Sequence, residues 1–584
     1  MENNNIKFKI IFFCIIFFSS FFLWQNVEAA CTGASPTWIC SADSTSAEIN
    51  SCITSATSGD TINIGAGTGT WNTQITIPSS KTIWLNGAGS DSTIIDIGVE
   101  NALRLGDGTG DNTGTRISNF GFYSSTVAAF IFINGAINWR IDHNILDWTE
   151  YWNTNSANGS YVSIQGTGSS GGSVPYGLVD NNIIKDAKIV AVGRGASAPY
   201  LGYANITWAR PFAWGINKDG ESVYVEDNTI YKRSGNPIDS NYGGEYVFRY
   251  NNVDDACNTL VHSVQGANRA GRYWEIYGNL YNRTSTSFYT QFRARAGTGT
   301  FFYNKVGGNQ PTTNNFLLDV ERVSSSKDFT GLCDGNSPWD GNQEANGYPC
   351  LDQIGRVNDD SLWKTFNVTA CADNGSGKVR LTATGHDLDN TDTKVMILSG
   401  GTSGCATGFA NTHNVLAIGT NWVDLDLTYT GPLVGTALMS GHHITQPLHP
   451  AYEWVNQNYD HGNLMHFALH NPGTAEENYL EANRDFYNYT TSFDGTSGVG
   501  CGTLANRPDT CTTGVGYWAT DQSCTDLTGM VGVNPTTPIA GTLYKCTATD
   551  TWEEYYTPYT YPHPLRTEAN DVIAPASPTG LAVD

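Results

Sequence analysis

One short pattern recurs through the middle of this chain and constrains its fold more than any other feature. A large apolar residue is followed by two others, an asparagine, one further residue and usually a second apolar residue. Four close copies have asparagines 23, 28 and 25 residues apart, at Asn228, Asn251, Asn279 and Asn304, and looser copies surround Asn144 and Asn182. A nearly constant period in the twenties is typical of stacked repeats, in which each unit buries its apolar face against its neighbours.

The residues around each asparagine favour short β-strands over the helices of a leucine-rich repeat. Their apolar positions are β-branched or aromatic, and no segment between Val225 and Val306 carries a helical apolar stripe. An asparagine at one corner of every coil can bond to the asparagines above and below it, forming a ladder. Because side chains alternate along a strand, the residue three before each asparagine then points inward and the residue two before it points outward.

The N-terminal region adds a series of short strand-like segments separated by turns. These are SGDTINI at 58–64, GTGTW at 67–71, ITIP at 75–78, TIWLNGAG at 82–89 and STIID at 92–96. Together with the asparagine repeats, this order resembles the right-handed parallel β-helix proteins of the pectin-lyase-like superfamily. The resemblance implies an all-β fold, a right-handed parallel β-helix (solenoid) with an N-terminal helical cap over roughly residues 46–57. Shorter alternating segments downstream predict additional small antiparallel β modules.

Changes of pattern divide the chain into seven regions. Residues 1–29 are predicted to be a signal peptide, because Lys7 and Lys9 precede an apolar run that small residues follow. The other predicted regions are a parallel β-helix with its cap (30–323), a disulfide-tied loop region (324–360), an inserted small β module (361–445), further β-helix-like strands (446–500), a Cys-rich β-hairpin module (501–566) and a C-terminal linker or tail (567–584).

Cysteine usage favours export. Losing Cys14 with the signal peptide from a total of 13 cysteines leaves an even number, which suits an oxidising compartment. Proximity in sequence suggests five disulfides and leaves Cys31 and Cys257 over: Cys40–Cys52, Cys333–Cys350, Cys371–Cys405, Cys501–Cys511 and Cys524–Cys546. We therefore expect a secreted, extracellular or cell-surface protein with no membrane span after signal cleavage. A lipoprotein anchor at Cys31 is the alternative, which Glu28 disfavours.

The formal net charge of −24 bears on the partners. Nucleic-acid binding requires Lys and Arg to neutralise phosphates, so we expect no nucleic-acid partner. The acidity is compatible with Ca²⁺ and with neutral sugars, although no motif assigns metal ligands and no cofactor is certain. The expected partner is an extracellular polysaccharide or a cell-surface glycan.

The outward position two before each asparagine forms a first candidate site. Its members are Asp142, Asp180, Glu226, Arg249, Tyr277 and Phe302. Since adjacent coils lie ~4.8 Å apart, neighbours in this column can touch. We predict an ion pair between Glu226 and Arg249, and a platform for a sugar ring at Tyr277 and Phe302. Ordinary surface decoration of a sheet is the alternative.

A concentration of arginines forms a second candidate site. Between Ala256 and Pro311 there are six basic residues and one acid, a local charge of +5 in an acidic chain. Arg binds carboxylate or sulfate in a bidentate manner, which suits an acidic polysaccharide. The candidate catalytic residues are Arg249, His262, Arg272, Arg293 and Asp239. The candidate substrate-binding residues are Glu226, Arg269, Glu275, Tyr277, Arg295 and Phe302. Scattered surface arginines are the alternative.

Two chemistries would use these groups. A β-eliminating lyase needs a base beside the uronic-acid C5 and a cation for the carboxylate, and the resembling lyases often use Arg or Lys and a calcium site. A hydrolase needs two carboxylates ~5 Å or ~6.5–9.5 Å apart. The chain lacks the family's polygalacturonase motifs and its pectate-lyase Arg signature. We expect a secreted polysaccharide-directed β-helix protein, a lyase or hydrolase acting on an acidic polysaccharide. The alternative is a non-catalytic carbohydrate-binding, adhesin or tailspike-like surface protein.

Overall fold

The computed structural model describes residues 31–106, 114–127, 129–155, 161–165, 176–192, 222–232, 236–241, 244–255, 259–261, 270–283, 292–308, 316–319, 353–356, 366–390, 392, 394–399, 403–410, 412–440, 448–470 and 479–566. The predicted signal peptide, the C-terminal linker or tail and nearly all of the predicted loop region lie outside this part of the chain. The described part is all-β, with long parallel sheets.

Three parallel sheets are built from strands that the chain visits in rotation. Each sheet takes every third strand, so one coil adds one strand to each sheet in a solenoid-like β-helix. The first sheet contains β1 (Cys31–Ala34), β2 (Thr37–Cys40), β3 (Thr61–Ile64), β6 (Trp84–Gly87), β9 (Arg116–Ser118), β12 (Ile137–Asp142), β15 (Tyr176–Asp180), β18 (Val223–Glu226), β21 (Glu245–Arg249), β24 (Tyr273–Tyr277), β27 (Thr298–Phe302), β39 (Ala451–Trp454) and β42 (Phe486–Tyr487). Only its β1–β2 pair is antiparallel among the described strands.

The second and third sheets have ten strands each. The second contains β4 (Gly67–Trp71), β7 (Thr93–Ile97), β10 (Gly121–Tyr123), β13 (Ile145–Asp147), β16 (Ile183–Lys185), β19 (Thr229–Tyr231), β22 (Asn252–Asp254), β25 (Leu280–Asn282), β28 (Lys305–Gly307) and β40 (Gln457–Asn458). The third contains β5 (Ile75–Ile77), β8 (Leu103–Leu105), β11 (Ala129–Asn134), β14 (Tyr161–Gln165), β17 (Lys188–Val192), β20 (Ile238–Asn241), β23 (Thr259–Val261), β26 (Phe292–Ala294), β29 (Phe316–Leu318) and β41 (Phe467–Leu469).

The asparagine ladder is present at the corner between the first and second sheets, as predicted. In each successive pair, one side-chain amide donates to the Oδ1 of the next at 3.0 or 3.1 Å, through Asn144, Asn182, Asn228, Asn251, Asn279, Asn304 and Asn456. The same Oδ1 atoms accept backbone N–H groups at 2.9–3.1 Å. The buried corner is therefore supplied with the hydrogen bonds that a sharp turn would otherwise lack.

The residue before each ladder asparagine has a left-handed backbone, which turns the chain sharply from one sheet into the next. These residues have φ between 52° and 66° and are His143, Asn181, Asp227, Tyr250, Gly278, Tyr303 and Val455. Such values are uncommon outside glycine, so the bonds of the asparagine help to hold them. The predicted side-chain directions are confirmed around this corner: Val225 lies in the interior core, while Glu226 lies outside it.

The interior of the coils is filled by apolar side chains, including the fully buried Trp71, Trp139 and Trp274. The helix α1 (Ser46–Ser55) begins with a capping box between Thr45 and Glu48. Its residues Ile49 and Ile53 are buried in the same core cluster. A second short helix, α2 (Thr149–Asn155), follows β13.

An antiparallel β module interrupts the coils in the region where the sequence predicts one. It contains β30 (Phe366–Val368), β31 (Ala370–Asp373), β32 (Lys378–Thr382), β33 (Lys394–Ser399), β34 (Ser403–Cys405), β35 (Thr412–Gly419), β36 (Trp422–Thr428), β37 (Gly431–Val434) and β38 (Ala437–Ser440). It has its own hydrophobic core. The coils resume afterwards, because β39 pairs in parallel with β27, β40 with β28 and β41 with β29.

A C-terminal module, residues 499–566, follows the last coil. Its strands are β43 (Val499–Gly502), β44 (Gly516–Ala519), β45 (Thr542–Ala548) and β46 (Thr551–Tyr556). The predicted hairpin between β44 and β45 is confirmed as an antiparallel pair. A 3-10 helix, Leu504–Asn506, lies between the first two strands.

The disulfides correct three of the predicted pairings. Cys371–Cys405 is confirmed, but the other described bridges are Cys31–Cys40, Cys501–Cys524 and Cys511–Cys546. The predicted pairs Cys40–Cys52, Cys501–Cys511 and Cys524–Cys546 are therefore wrong, because proximity in sequence does not decide which cysteines meet in the fold. Cys31 lies directly opposite Cys40 in the β1–β2 pair, and Cys52 remains a buried free thiol. Cys257, Cys333 and Cys350 lie outside the described residues.

Candidate functional site

The predicted outward column of the first sheet exists, but the C-terminal module covers it. The predicted ion pair is present: Arg249 Nε lies 2.7 Å from Glu226 Oε2, and both side chains are fully buried. Arg249 also donates to the carbonyl oxygens of Tyr559 at 2.7 Å and Thr560 at 2.9 Å. The Arg249 guanidinium therefore holds residues 559–560, near the end of the C-terminal module, against the coils.

The aromatic members of this column stack on one another inside the same interface. The rings of Tyr277 and Phe302 lie 4.5 Å apart, and those of Phe302 and Trp454 lie 4.2 Å apart, both nearly parallel. Glu275, in the neighbouring outward column, accepts a hydrogen bond from Tyr556 at 2.7 Å. All these side chains are fully buried. That burial is incompatible with the predicted sugar platform at Tyr277 and Phe302, because residues 555–566 occupy the place of a ligand. It is equally incompatible with the substrate contacts predicted for Glu226 and Glu275 and with the catalytic role predicted for Arg249.

Buried charged side chains link the C-terminal module to the first sheet of the coils. Arg566 binds Asp227 and lies 3.2 Å from Glu226 and 3.5 Å from Asp180. Burial raises the pKa of Asp180 to about 6 although Arg140 opposes the rise. Burial also acts to raise the pKa of Glu226, but the charges of Arg249 and Arg566 outweigh it and hold this pKa below its usual value. In such a network each buried charge depends on its partners, so removing one charged side chain leaves the others buried without an opposite charge.

The third sheet presents a different, partly open face. Arg293 points outward from β26, and its backbone pairs with Leu317 of β29, the outward residue of the next coil. Asp319 follows β29 and donates its N–H to Ala294 O at 2.9 Å, and His470 follows β41 and donates its N–H to Leu318 O at 2.8 Å. Arg295, Asp319 and His470 therefore occupy equivalent positions in three successive coils.

These side chains contact one another across the coils. Arg293 Nε lies 3.0 Å from Asp319 Oδ2, and Arg295 Nε lies 3.8 Å from the same oxygen. His470 Nδ1 lies 3.8 Å from Asp319 Oδ1 and 3.5 Å from the Arg293 guanidinium. Asp319 is buried, whereas the side chains of Arg293 and His470 are 20% and 31% exposed. A buried carboxylate thus positions two cations and an imidazole at the surface. We call Arg293, Arg295, Asp319 and His470 the third-sheet cluster.

Of the other predicted residues, Asp239 and Arg272 are described and do not join this cluster. Asp239 lies on the same sheet, two coils before Arg293, and is buried near Lys188, whose Nζ is 3.9 Å away. Arg272 is buried in the turn that leads into β24, where its Nη1 lies 3.8 Å from Glu245 Oε1. His262 and Arg269 lie outside the described residues. The described arginines of the predicted face therefore lie in separate places: Arg293 and Arg295 contact Asp319, whereas Arg272 contacts Glu245.

Sequence reasoning did not select Asp319 or His470. His470 lies 177 residues after Arg293, because the antiparallel module is inserted between the two coils. A usable signal existed in the sequence: Asp319 directly follows the apolar Phe316–Leu318, and His470 directly follows Phe467–Leu469. Alignment of these two strands would have placed both residues at one corner.

The comparisons with known proteins give no relative: no protein-family model, curated protein or solved structure matches the chain. The class of the protein therefore rests on its fold, an all-β chain with long parallel sheets. Its described disulfides are compatible with a secreted or extracellular location. In the part of the chain that the structure describes, no helix has the length and apolar character needed to cross a membrane.

Metal-ligand geometry occurs at one place among the described residues. The sulfur atoms of Cys31, Cys40 and Cys52 lie within 4.8 Å of one another. Two of these sulfurs already form a disulfide, so this group is a structural feature of the N-terminal strands. The expectation of calcium stays a prediction.

Proposed function

We propose that this chain is a secreted protein of the pectin-lyase-like type that cleaves an acidic polysaccharide by β-elimination at the third-sheet cluster. The observation that carries the proposal is the convergence of Arg293, Arg295, Asp319 and His470 from three successive coils onto one partly open face. A linear polymer laid along stacked coils would meet these groups together. On the first sheet, Arg116, Arg140 and His143 also surround a carboxylate, that of Asp142, but their side chains are only 15%, 4% and 13% exposed.

Charge supports an anionic substrate at this face. Two guanidinium groups against one carboxylate leave a local positive charge on a chain whose net charge is −24. Asp319 fixes the two guanidinium planes, which reduces the freedom that a substrate would have to restrict. Guanidinium groups recognise a carboxylate through two parallel hydrogen bonds.

The chemistry of the cluster suits elimination. In this proposal the His470 imidazole removes the proton on the carbon next to the uronate carboxylate. The electron pair of that C–H bond forms the C4–C5 double bond, and the C4–O bond breaks, with the leaving oxygen taking up a proton from solvent water. Arg293 and Arg295 stabilise the charge that develops on the carboxylate. For His470 to act as this base, its ring hydrogen must sit on Nδ1, which lies 3.8 Å from the Asp319 carboxylate, so that the lone pair of Nε2 takes the substrate proton.

Hydrolysis finds less support from Asp239 and Asp319, two carboxylates of the third sheet. Asp239 and Asp319 are separated by three coils, or roughly 14 Å at the usual spacing of ~4.8 Å. Paired carboxylates of glycoside hydrolases lie ~5–9.5 Å apart. Asp319 is moreover engaged by Arg293, which suits a positioning role better than that of an acid or a nucleophile.

The test is an assay for unsaturated products. The purified chain is incubated with polygalacturonate, alginate and a sulfated glycosaminoglycan, each with calcium or with a chelator, and absorbance of the new double bond is followed. We expect activity on one polyuronate, a loss of at least 100-fold in His470→Gln, and a large loss in Arg293→Ala. His413→Gln is the matched control, since His413 lies in the inserted module, where its Nε2 is 2.9 Å from Phe409 O, away from the third-sheet cluster. Binding of a polyuronate without cleavage would refute the enzyme and favour a carbohydrate-binding protein.

A further inference from the structure

The outer face of the second sheet carries a row of side chains that differs from both faces described above. The last residue of each strand points outward, and parallel pairing places Tyr231 beside Asp254, Asp254 beside Asn282, and Asn282 beside Gly307. Tyr459 continues the row, because its N–H donates to Val306 O at 2.9 Å. We call these five residues the tyrosine row.

The two ends of the row are exposed aromatic rings. Tyr231 is 40% exposed and Tyr459 is 41% exposed. Among the large apolar side chains that are exposed in the described part of the chain, these two are the aromatic ones. Four coil steps separate them, which corresponds to roughly 19 Å at ~4.8 Å per coil. An extended ligand that spans several coils could therefore contact both rings.

The far ring is held in place by its neighbours. The hydroxyl of Tyr459 donates to Asn282 Oδ1 at 3.2 Å, and the Asn282 amide bonds in turn to the Asp254 carboxylate. The ring lies over Gly307, where an added Cβ would come within 1.9 Å of its Cζ atom. Glycine at this position thus leaves the space that the Tyr459 ring occupies. Fixing an aromatic ring in advance lowers the entropy that a ligand must remove on binding.

The chemistry between the rings is that of hydrogen-bond acceptors. Asp254 offers carboxylate oxygens and Asn282 an amide group, while both tyrosines add hydroxyls. Burial raises the pKa values of Asp254 and Tyr231, so these groups are already partly removed from water. The five residues of the row include no cation; Lys185 lies beside Tyr231 on the preceding coil, where its Nζ is 3.2 Å from Asp147. Such a surface favours ligands that donate hydroxyl hydrogens and repels polyanions.

We propose that the tyrosine row is a binding site for a neutral glycan chain lying along the stack of coils. Aromatic side chains combine a broad apolar face with a polar edge, which matches the faces and hydroxyl rims of sugar rings. The acceptors at Asp254 and Asn282 would take hydroxyl donors from the sugars between the two rings. This inference does not depend on the proposed function, since the row lies on another sheet and has the opposite charge.

The experiment is affinity electrophoresis of the full chain in gels that contain soluble xylan, galactomannan, mixed-linkage β-glucan or polygalacturonate. We expect retardation by at least one neutral glycan, with Tyr231→Ala and Tyr459→Ala each weakening binding about 5- to 10-fold and the double variant abolishing it. Gly307→Ala should also weaken binding, because the new Cβ displaces the retained Tyr459 ring. Leu504→Ala is the control, since Leu504 is 50% exposed on the C-terminal module.

Several results would overturn the proposal. No retardation by any of the neutral glycans would do so, as would tyrosine variants that bind them as well as the unaltered chain. Retardation by polygalacturonate that the tyrosine variants reduce would also overturn it. Equal thermal melting of the variants shows that lost binding is not lost folding. The variant His470→Gln should bind neutral glycans normally, which keeps this result separate from failure of the β-elimination assay.

Discussion

Replacing Asn251 with alanine tests the asparagine ladder in the middle of the coil stack. Its Oδ1 accepts the backbone N–H of Asn228 at 3.0 Å and the side-chain amide of Asn228 at 3.1 Å. Its own amide donates to Val225 O, Arg249 O and Asn279 Oδ1, each at 3.0 Å. All of these groups are buried, so no water is at hand to replace the lost partner.

The expected loss follows from the donors that are left without an acceptor. An unsatisfied buried donor costs ~1–3 kcal/mol, and Asn251→Ala removes the acceptor of two donors on Asn228. The Asn228 amide keeps its bonds to Val179 O and Glu226 O. The loss of unfolding free energy should therefore lie in the lower half of the range that two unsatisfied donors would give. We therefore expect the free energy of unfolding to fall by ~2–4 kcal/mol.

The assay is urea unfolding followed by tryptophan fluorescence, combined with hydrogen exchange of peptides that cover residues 225–253. Faster exchange should be centred on the corner that contains Asn228. Asn153→Ala is the matched control, since this asparagine is exposed on α2 and its amide donates to Glu150 at 3.4 Å. It should change stability by less than ~0.5 kcal/mol. A loss in Asn251→Ala that matches the control would refute the view that the ladder amides hold the corners.

Three further predictions concern the buried charges and the thiol. Because burial raises the folded-state pKa of Asp180 to about 6, above the unfolded value of ~3.9, its contribution to stability is lost as pH rises through this window. The difference in the free energy of unfolding between Asp180→Asn and the unaltered chain should therefore shift in favour of the variant as pH rises from 4 to 6, as measured by urea titrations at each pH. Arg566→Met should lower the free energy of unfolding by ~3–5 kcal/mol and make residues 555–566 sensitive to limited proteolysis, because Glu226 and Asp227 lose a buried partner; unchanged proteolysis would contradict this. Burial raises the pKa of the Cys52 thiol to about 11, so iodoacetamide should label it only after denaturation, without reduction, while Cys31 and Cys40 remain unlabelled.

Much of the coil could be predicted because its signals are local and repeated. Asn228, Asn251, Asn279 and Asn304 recur with their flanking apolar residues, and this recurrence sets both the strand register and the side-chain directions. Val225 points inward and Glu226 points outward because successive side chains of a β-strand alternate between its two faces. The left-handed backbone of Tyr250 and Val455 had no sequence signal, since neither residue type favours that conformation.

The candidate sites were harder to predict, because their residues meet only through tertiary contacts. The outward position of Arg249 and Tyr277 was correct, yet their burial depends on residues 555–566, which lie more than 270 residues away in sequence. His470 reaches Arg293 only because the coils resume after an inserted module. Disulfide pairing failed for the same reason: Cys31 faces Cys40 across a strand pair that spacing alone does not reveal.

The amino-acid sequence by itself determined the repeat, the asparagine corner and the face of the strand to which each side chain belongs. These features depend on two periods that the sequence shows, two residues along a strand and one coil along the stack. The tertiary structure alone decided which outward faces stay open. Covering a face depends on a distant segment that packs against it, and the free energy of that packing comes from many weak contacts that leave no periodic trace in the chain. For this reason the first sheet became an interior interface, while side chains of the third-sheet cluster and of the tyrosine row remained partly exposed.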